Sequence, residues 1–238
     1  MFFDPTYLMY MLPGLILTLI AQWWVNSTYR KWSKVRNQAG VSGAEAAQRL
    51  LSQVGMQDIS LEGARGQLSD HYDPRSRTLR LSQGVGNGES VASLAIAAHE
   101  IGHAVQDREG YFPMKLRGAM VPAVNIGSNL GIYMILAGLL LRSFLGSQLA
   151  IQIAWIGVAL FATGAVFALA TLPVELNASK RAKQLLERSN LVQSNKEKSG
   201  VNSVLTAAAF TYVAGLAAAI LQLLYFVSLV SGMGGRRR

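Results

Sequence analysis

Cysteine is absent from this chain of 238 residues, and only three histidines are present. The absence of cysteine excludes disulfide bonds and thiolate metal ligands, and it leaves the redox compartment undetermined. No RNA- or DNA-binding motif accompanies the net charge of +9, so we expect no nucleic-acid partner. The Gly-rich stretch at 83–90 lacks the Lys-Ser/Thr ending of a phosphate-binding loop.

Long apolar segments are abundant in the chain, because 51% of its residues are hydrophobic. Four segments are about as long as the roughly 20 residues that cross the hydrocarbon core of a bilayer. They lie at approximately residues 7–25, 119–141, 149–172 and 204–230. No polar part of the chain is large enough to cover four buried helices of this length. The pattern therefore predicts a mainly α membrane protein with about four transmembrane helices in a lipid bilayer.

The lysines and arginines lie unevenly around these segments. Residues 26–118 contain 12 of them and residues 173–203 contain 6, whereas the link at 142–148 contains only Arg142 and the C-terminal tail contains three. Lys and Arg collect in the cytoplasmic loops of membrane proteins. We therefore expect the N-terminus outside and both longer polar parts in the cytoplasm. The basic C-terminal tail is then also predicted outside, which is the one conflict with the charge rule.

The apolar and polar segments together predict five parts. Residues 1–25 form transmembrane helix 1, residues 26–118 a cytoplasmic domain, and residues 119–172 a transmembrane hairpin of helices 2 and 3. Residues 173–203 form a cytoplasmic helix, and residues 204–238 form transmembrane helix 4 with the basic tail. We expect the first segment to be retained, because no basic residue precedes it and no small-x-small cleavage site follows it.

Local signals within residues 26–118 predict a small α+β domain. Ser42 and Glu45 form a capping-box pattern at the start of a helix that Gly55 ends. Three short runs separated by turn sequences predict a short antiparallel sheet, at residues 57–62, 67–72 and 77–82. The segment TLRLS in the last run has two open interpretations, an edge strand that binds an extended peptide or a strand buried in the domain. A Gly-rich linker then ends in Ser90, the expected N-cap of the next helix.

The next helix is predicted at residues 91–109, and it contains His-Glu-Ile-Gly-His at 99–103. Positions i and i+4 share one helix face, so His99 and His103 can offer two nitrogens to one zinc ion. Glu100 lies beside this pair, where it can act as general base toward a zinc-activated water. Two histidines and a glutamate on an Ala- and Ile-rich helix would be costly to bury without such a partner. The motif therefore predicts zinc-dependent hydrolysis of peptide bonds.

A catalytic zinc needs a third protein ligand and an open fourth position. The candidates are Glu109, six residues after His103, and Glu175, which follows the third apolar segment. Glu109 is less favoured, because Gln106 stands where the corresponding ligand pattern needs a glycine for its sharp turn. Glu175 is preferred, because the two intervening spans return the chain to the same side of the membrane.

Three other polar residues are candidates for supporting roles. Asn177 or Ser179 can orient a His ligand by accepting its other ring N–H, although Ser179 also fits an ordinary surface position. His71 can stabilise an oxyanion, but the adjacent Asp-Pro turn favours a solvated residue.

Two interpretations from other classes remain open. The chain can be a catalytically inactive membrane scaffold or adaptor with a structural zinc site. In such a site four protein ligands occupy all positions of the metal, for example if Glu109 and Glu175 both bind it. It can also be a lipid binder at the membrane surface, an interpretation that rests only on charge and apolar area.

Three motifs in the chain carry a resemblance to a known family. They are SDHYDPRSRTLRLS (69–82), AAHEIGHAVQ (97–106) and TLPVELNASKRA (171–182). In this order they resemble the bacterial membrane zinc metallopeptidases of the YugP type, called neutral zinc metallopeptidases. The resemblance spans nearly the whole chain and implies a zincin-like cytoplasmic domain in a bacterial plasma-membrane protein.

The family resemblance also implies a gluzincin-like active site. His99, His103 and Glu175 would bind Zn²⁺, and Glu100 would be the base. The expected substrate is a polypeptide, membrane-associated or misfolded, near the bilayer. A more distant resemblance is to the HtpX heat-shock proteases, in which an Asp follows the Glu ligand by four positions. Ser179 stands at that position here, so the residue that orients the His ligands is open.

Overall fold

The computed structural model describes residues 5–234, and this part of the chain is predominantly helical. Its helices are α1 (Pro5–Trp32), α2 (Gly43–Gln53), α3 (Gln83–Gly86), α4 (Val91–Arg108), α5 (Phe112–Leu145), α6 (Gln148–Arg188) and α7 (Asn195–Gly234). Its strands are β1 (Ser60–Ala64), β2 (His71–Asp73) and β3 (Thr78–Ser82). The prediction of a mainly α protein is confirmed. The basic tail at 236–238 lies outside the described residues.

Four of these helices, α1, α5, α6 and α7, are long and apolar enough to cross a membrane. By length and composition they confirm the predicted apolar helices. With 41 residues, α6 continues through Pro173, so the third apolar segment and the following polar residues up to Arg188 form one helix. Residues 195–203 belong to the start of α7. The assignment of these helices to the bilayer, and of the polar segments to the cytoplasm, stays a prediction.

Contacts between residues divide the described chain into two compact units. The first contains residues 5–20, 116–172 and 212–234, and the second contains residues 21–115 and 173–211. Because of this division, α1, α6 and α7 each contribute to both units, and the first four residues of α5 belong to the second unit.

In the first unit, glycines allow α5 and α6 to pack closely. A Cβ added to Gly131 would lie 2.6 Å from the backbone nitrogen of Phe161, and one added to Gly138 would lie 2.7 Å from the carbonyl oxygen of Ala150. Small residues at such positions let two helix backbones approach in an apolar environment.

The second unit is built around α4, which is buried along nearly its whole length. Its neighbour α2 starts with the predicted capping box, in which Ser42 Oγ accepts from the Glu45 amide at 3.2 Å and Glu45 accepts from the Ser42 amide at 2.7 Å. Gly55, with φ of +68°, follows the end of α2 as predicted. Ser90 caps α4 by accepting from the amide of Ser93 at 3.0 Å. These local predictions are confirmed.

The sheet of the second unit corrects one prediction and decides between the two interpretations of TLRLS. Its strand order is β1-β3-β2, with β1 parallel and β2 antiparallel to β3, so the sheet is mixed and not antiparallel. The segment TLRLS is the central strand β3 and is largely buried, so it is not an edge strand. The edge strand that contacts α4 is β2. Turn sequences predict where strands end, but the pairing of strands depends on contacts distant along the chain. In addition, α3 occupies part of the expected linker.

Candidate metal centre

Two histidine side chains lie on one face of α4. His99 and His103 are one helical turn apart, and their ring centroids are separated by 4.8 Å with the ring planes at 86°. Their side chains are only 13% and 11% exposed, respectively. The shared face is the one that the i, i+4 spacing predicts.

Glu175 on α6 lies against both imidazoles. Its Oε2 is 3.2 Å from Nε2 of His99 and 3.5 Å from Nε2 of His103. The candidate ligand atoms of the three residues all lie within 4.8 Å of one another. Glu175 is itself buried. The structure therefore brings together the three residues that the sequence nominated as ligands, and their binding of a metal stays a prediction.

A glycine allows α6 to approach α4 at this level. A Cβ added to Gly102 would lie 2.6 Å from the carbonyl oxygen of Ala178, a separation that real Cβ atoms do not show. Gly102 immediately precedes His103, and Ala178 lies three residues after Glu175. The close contact therefore sets the helix that bears the carboxylate beside the helix that bears the imidazoles.

Each imidazole has a second polar partner at its other ring nitrogen. Ser179 Oγ lies 3.2 Å from Nδ1 of His99, and Gln106 Oε1 lies 3.0 Å from Nδ1 of His103. The Gln106 oxygen can only accept, so it favours the His103 tautomer with its proton on Nδ1 and its lone pair on Nε2, and the Ser179 hydroxyl is able to accept from His99 in the same way. Both Nε2 atoms face Glu175. This arrangement fits two nitrogen ligands and one oxygen ligand on a single ion.

Gln106 is held in one orientation by its own partners. Its Nε2 donates to the carbonyl oxygen of Val174 at 2.8 Å and to Oδ1 of Asn177 at 3.0 Å. Its Oε1 is therefore the atom that faces His103. Arg181 donates from Nε to the same Asn177 oxygen at 2.7 Å. The sequence analysis missed this role of Gln106. The available signal was its position three residues after His103, on the same helix face.

The carboxylate of Glu100 contacts strand β2. Its Oε2 accepts a hydrogen bond from the backbone amide of Tyr72 at 3.1 Å, and the side chain is buried. Burial raises the pKa of Glu100 above its ordinary value, and the charges of His99 and His103 oppose this rise. A general base is most effective when its pKa approaches the working pH. The environment of Glu100 therefore suits proton uptake.

Tyr72 attaches β2 to α4 at two points. Its backbone amide donates to Glu100, and its hydroxyl donates to Oδ2 of Asp107 at 3.0 Å. Burial, together with the hydrogen bond to Asp107, raises the pKa of Tyr72 to about 12, so the hydroxyl keeps its proton at neutral pH. The edge strand is thereby fixed beside Glu100.

The remaining candidates from the sequence have other surroundings. Glu109 forms an ion pair with Arg181, with 2.7 Å between Oε2 and the guanidinium nitrogen, and its side chain is 48% exposed. It does not belong to the group of three ligand candidates. His71 is exposed on β2, and its Nδ1 lies 2.8 Å from a backbone carbonyl oxygen. Asn177 contacts Gln106 and Arg181.

Two imidazole nitrogens, one carboxylate oxygen and an adjacent buried glutamate are the donor set and base of zinc peptidases. Comparisons with known proteins point to the same class. The family described as "Putative neutral zinc metallopeptidase" matches residues 7–231. The chain is 42% identical over 211 residues to a Bacillus subtilis (strain 168) protein named "Putative membrane protease YugP", covering 89% of this chain and 90% of that protein. No solved structure gives a significant match.

The chain therefore belongs to the neutral zinc metallopeptidase family. The resemblance drawn from the three sequence motifs is confirmed. The match covers the candidate ligands and the apolar helices alike, because it extends over nearly the whole chain.

Proposed function

We propose that this chain is a membrane-bound zinc-dependent endopeptidase. The proposal rests mainly on the convergence of His99, His103 and Glu175, in which both Nε2 atoms face one carboxylate while both Nδ1 atoms have other oxygen partners. Three protein ligands leave the fourth position of a tetrahedral zinc ion open, as catalysis requires. Membership of the family supports the same assignment.

In this proposal, His99, His103 and Glu175 hold the ion. When bound, Zn²⁺ would act as a Lewis acid, which polarises the peptide carbonyl and makes water nucleophilic near neutral pH. Glu100 accepts a proton from the attacking water and passes it to the departing amine. The amide of Tyr72 orients one carboxylate oxygen of Glu100.

The alternative proposal is an inactive scaffold or adaptor with a structural zinc. Such a site is closed by four protein ligands. Within the described residues, the candidate group holds three ligands, and Glu109, the residue considered for the fourth, pairs with Arg181. These observations support the catalytic assignment over the structural one.

We also propose that the site lies on the cytoplasmic side of an integral plasma-membrane protein. Four apolar helices and a relative named as a membrane protease support the membrane location. The orientation is supported by charge, since residues 26–118 and 173–203 contain 12 and 6 of the 22 lysines and arginines.

The substrate in this proposal is a membrane-associated polypeptide in extended conformation. Extended peptides bind exposed sheet edges by adding a strand. The edge strand beside Glu100 is β2, held there by Tyr72. A peptide added to β2 would therefore bring its backbone next to the proposed base.

The test compares Glu100→Gln with Glu62→Gln in the full-length protein, purified in detergent. Glu62 is an exposed glutamate that pairs with Arg80 on the sheet. We expect the wild type to bind one zinc and to digest casein in a chelator-sensitive manner. Glu100→Gln keeps the zinc and loses about 10²–10⁴-fold in cleavage rate, because the ligands stay and the base is removed. Glu62→Gln keeps both properties.

Cleavage by Glu100→Gln at the wild-type rate would refute the role of Glu100. A wild-type protein that holds zinc but cleaves nothing would instead favour the scaffold.

A further inference from the structure

A polar cavity lies between the last turns of α1 and the first turns of α7 in the second unit. It has a volume of about 330 Å³. Its lining consists of two indoles, one ammonium group, three hydroxyls and one amide, from Trp24, Trp32, Lys31, Thr28, Ser203, Thr206 and Asn202. The candidate metal ligands do not line this cavity, so it is a separate feature of the second unit.

The cavity lies where both helices change from apolar to polar sequence. The apolar segment of α1 ends near residue 25, and that of α7 begins near residue 204. The rings of Trp24 and Phe210 are in contact, with centroids 5.2 Å apart, so the two helices are joined at this level. Trp side chains prefer the interface between membrane and water. In the membrane location proposed above, on which this inference rests, the cavity would be at the level of the lipid headgroups.

Three helices contribute lysines to this cavity and to a second cavity next to it. Lys31 Nζ lies 5.2 Å from the ring centroid of Trp32. Lys183 donates to Oδ1 of Asn202, and Asn202 also lines a second cavity of about 210 Å³ together with Lys183, Lys198 and Glu187. Three ammonium groups against one carboxylate give this region an excess of positive charge.

We propose that this cavity binds the headgroup of an anionic phospholipid of the phosphatidylglycerol type. The phosphate would contact Lys31 in the cavity, and Lys183, which is joined to the lining residue Asn202 by a hydrogen bond, would add its positive charge from the adjoining cavity. The headgroup hydroxyls would contact Asn202 and Ser203. Basic pockets between spans bind anionic headgroups in this way. A zwitterionic headgroup fits less well, because its own ammonium group would be repelled by the lysines.

The experiment measures lipid binding by native mass spectrometry of the full-length protein in detergent. Phosphatidylglycerol and phosphatidylcholine with identical acyl chains are added in equal amounts. The test variant is Lys31→Gln/Lys183→Gln. The control variant is Lys34→Gln/Lys180→Gln, which removes the same charge at neighbouring exposed positions. We expect the wild type and the control to bind more phosphatidylglycerol than phosphatidylcholine. In the test variant, the ratio of the two bound lipids should fall roughly tenfold.

An equal loss in both variants would overturn the site in favour of diffuse charge attraction. A wild type without preference for phosphatidylglycerol would overturn it as well. Displacement of the lipid by millimolar inorganic phosphate would identify a site for soluble anions instead.

If the test variant does not fold, Asn202→Asp serves in its place, because it adds a negative charge while both lysines remain, and the same loss of preference is expected. Zinc content is measured in parallel, so failure of this proposal is distinct from failure of the proposed peptidase.

Discussion

The two histidines of the candidate site are supported by different chemistry. His99 has the hydroxyl of Ser179 at Nδ1, whereas His103 has the amide oxygen of Gln106. A hydroxyl can donate or accept, so Ser179 imposes no single tautomer. The amide of Gln106 is fixed by donation to Val174 and Asn177, and its oxygen can only accept. At the scale of the residue, His103 is therefore the more firmly preset of the two proposed ligands.

Replacement of Gln106 tests this difference. In Gln106→Leu the acceptor for His103 Nδ1–H is lost, and we expect zinc affinity, measured by competition with a chromogenic chelator, to fall about 10- to 100-fold. Gln106→Glu keeps an oxygen acceptor and should recover most of the affinity, even where its thermal stability is lower. Equal zinc affinity in Gln106→Leu and the wild type would show that His103 needs no acceptor there.

The identity of the third ligand gives a second prediction for single residues. Glu175→Ala removes the carboxylate that both imidazoles face, so the purified protein should lose most of its zinc. Glu109→Ala removes an exposed partner of Arg181 and should leave the zinc content unchanged. Elemental analysis of the two variants decides the matter, and the reverse pattern would favour Glu109 as ligand.

Between elements, the decisive contact is the approach of α4 to α6. The backbone of Ala178 fills the space where a side chain at Gly102 would be. Packed interiors do not absorb an extra carbon without displacement. Any widening of this contact moves Glu175 away from the imidazoles, because it lies less than one turn from Ala178 on the same helix. Stability and metal affinity are therefore coupled at this contact.

Gly102→Ala tests the coupling between the helices. The added methyl group should destabilise the second unit by about 1–3 kcal/mol and weaken zinc binding at the same time. Gly63→Ala on β1 is the control, because no atom lies within 4 Å of its added Cβ. Thermal unfolding and zinc titration report the two effects. Normal zinc affinity in a folded Gly102→Ala protein would separate the helix contact from the metal site.

For the whole molecule, the proposed membrane orientation rests on the distribution of positive charge. Residues 26–118 hold 12 lysines and arginines, whereas residues 142–148, which span the end of α5, the link and the start of α6, hold only Arg142. Since the orientation of membrane proteins follows this bias, the link is expected outside and the metal centre inside.

The absence of cysteine makes the orientation directly measurable, because one introduced cysteine is the sole thiol of the chain. Gln148→Cys, at the exposed start of α6, should react with a membrane-impermeant maleimide in intact cells. Arg75→Cys, in the exposed turn between β2 and β3, should react only after permeabilisation. Labelling of Arg75→Cys in intact cells would reverse the proposed orientation.

Features that depend on neighbouring residues were predictable from the sequence. The caps at Ser42 and Ser90, the helix end at Gly55 and the shared face of His99 and His103 all follow from spacing within a turn or two. The four apolar helices followed from composition and length alone. In each case the physical cause acts over a short stretch of chain, and the sequence of that stretch contains it.

Tertiary structure decided the rest, because the contacts involved join residues far apart in the chain. His99 meets Glu175 across 76 positions and Ser179 across 80, and Gln106 meets Val174 across 68. No local pattern reveals that β1 pairs with β3 or that β2 becomes the edge beside Glu100. The sequence could nominate the ligands, but only the packing of α6 on α4, permitted by the missing side chain of Gly102, brings them within reach of one ion.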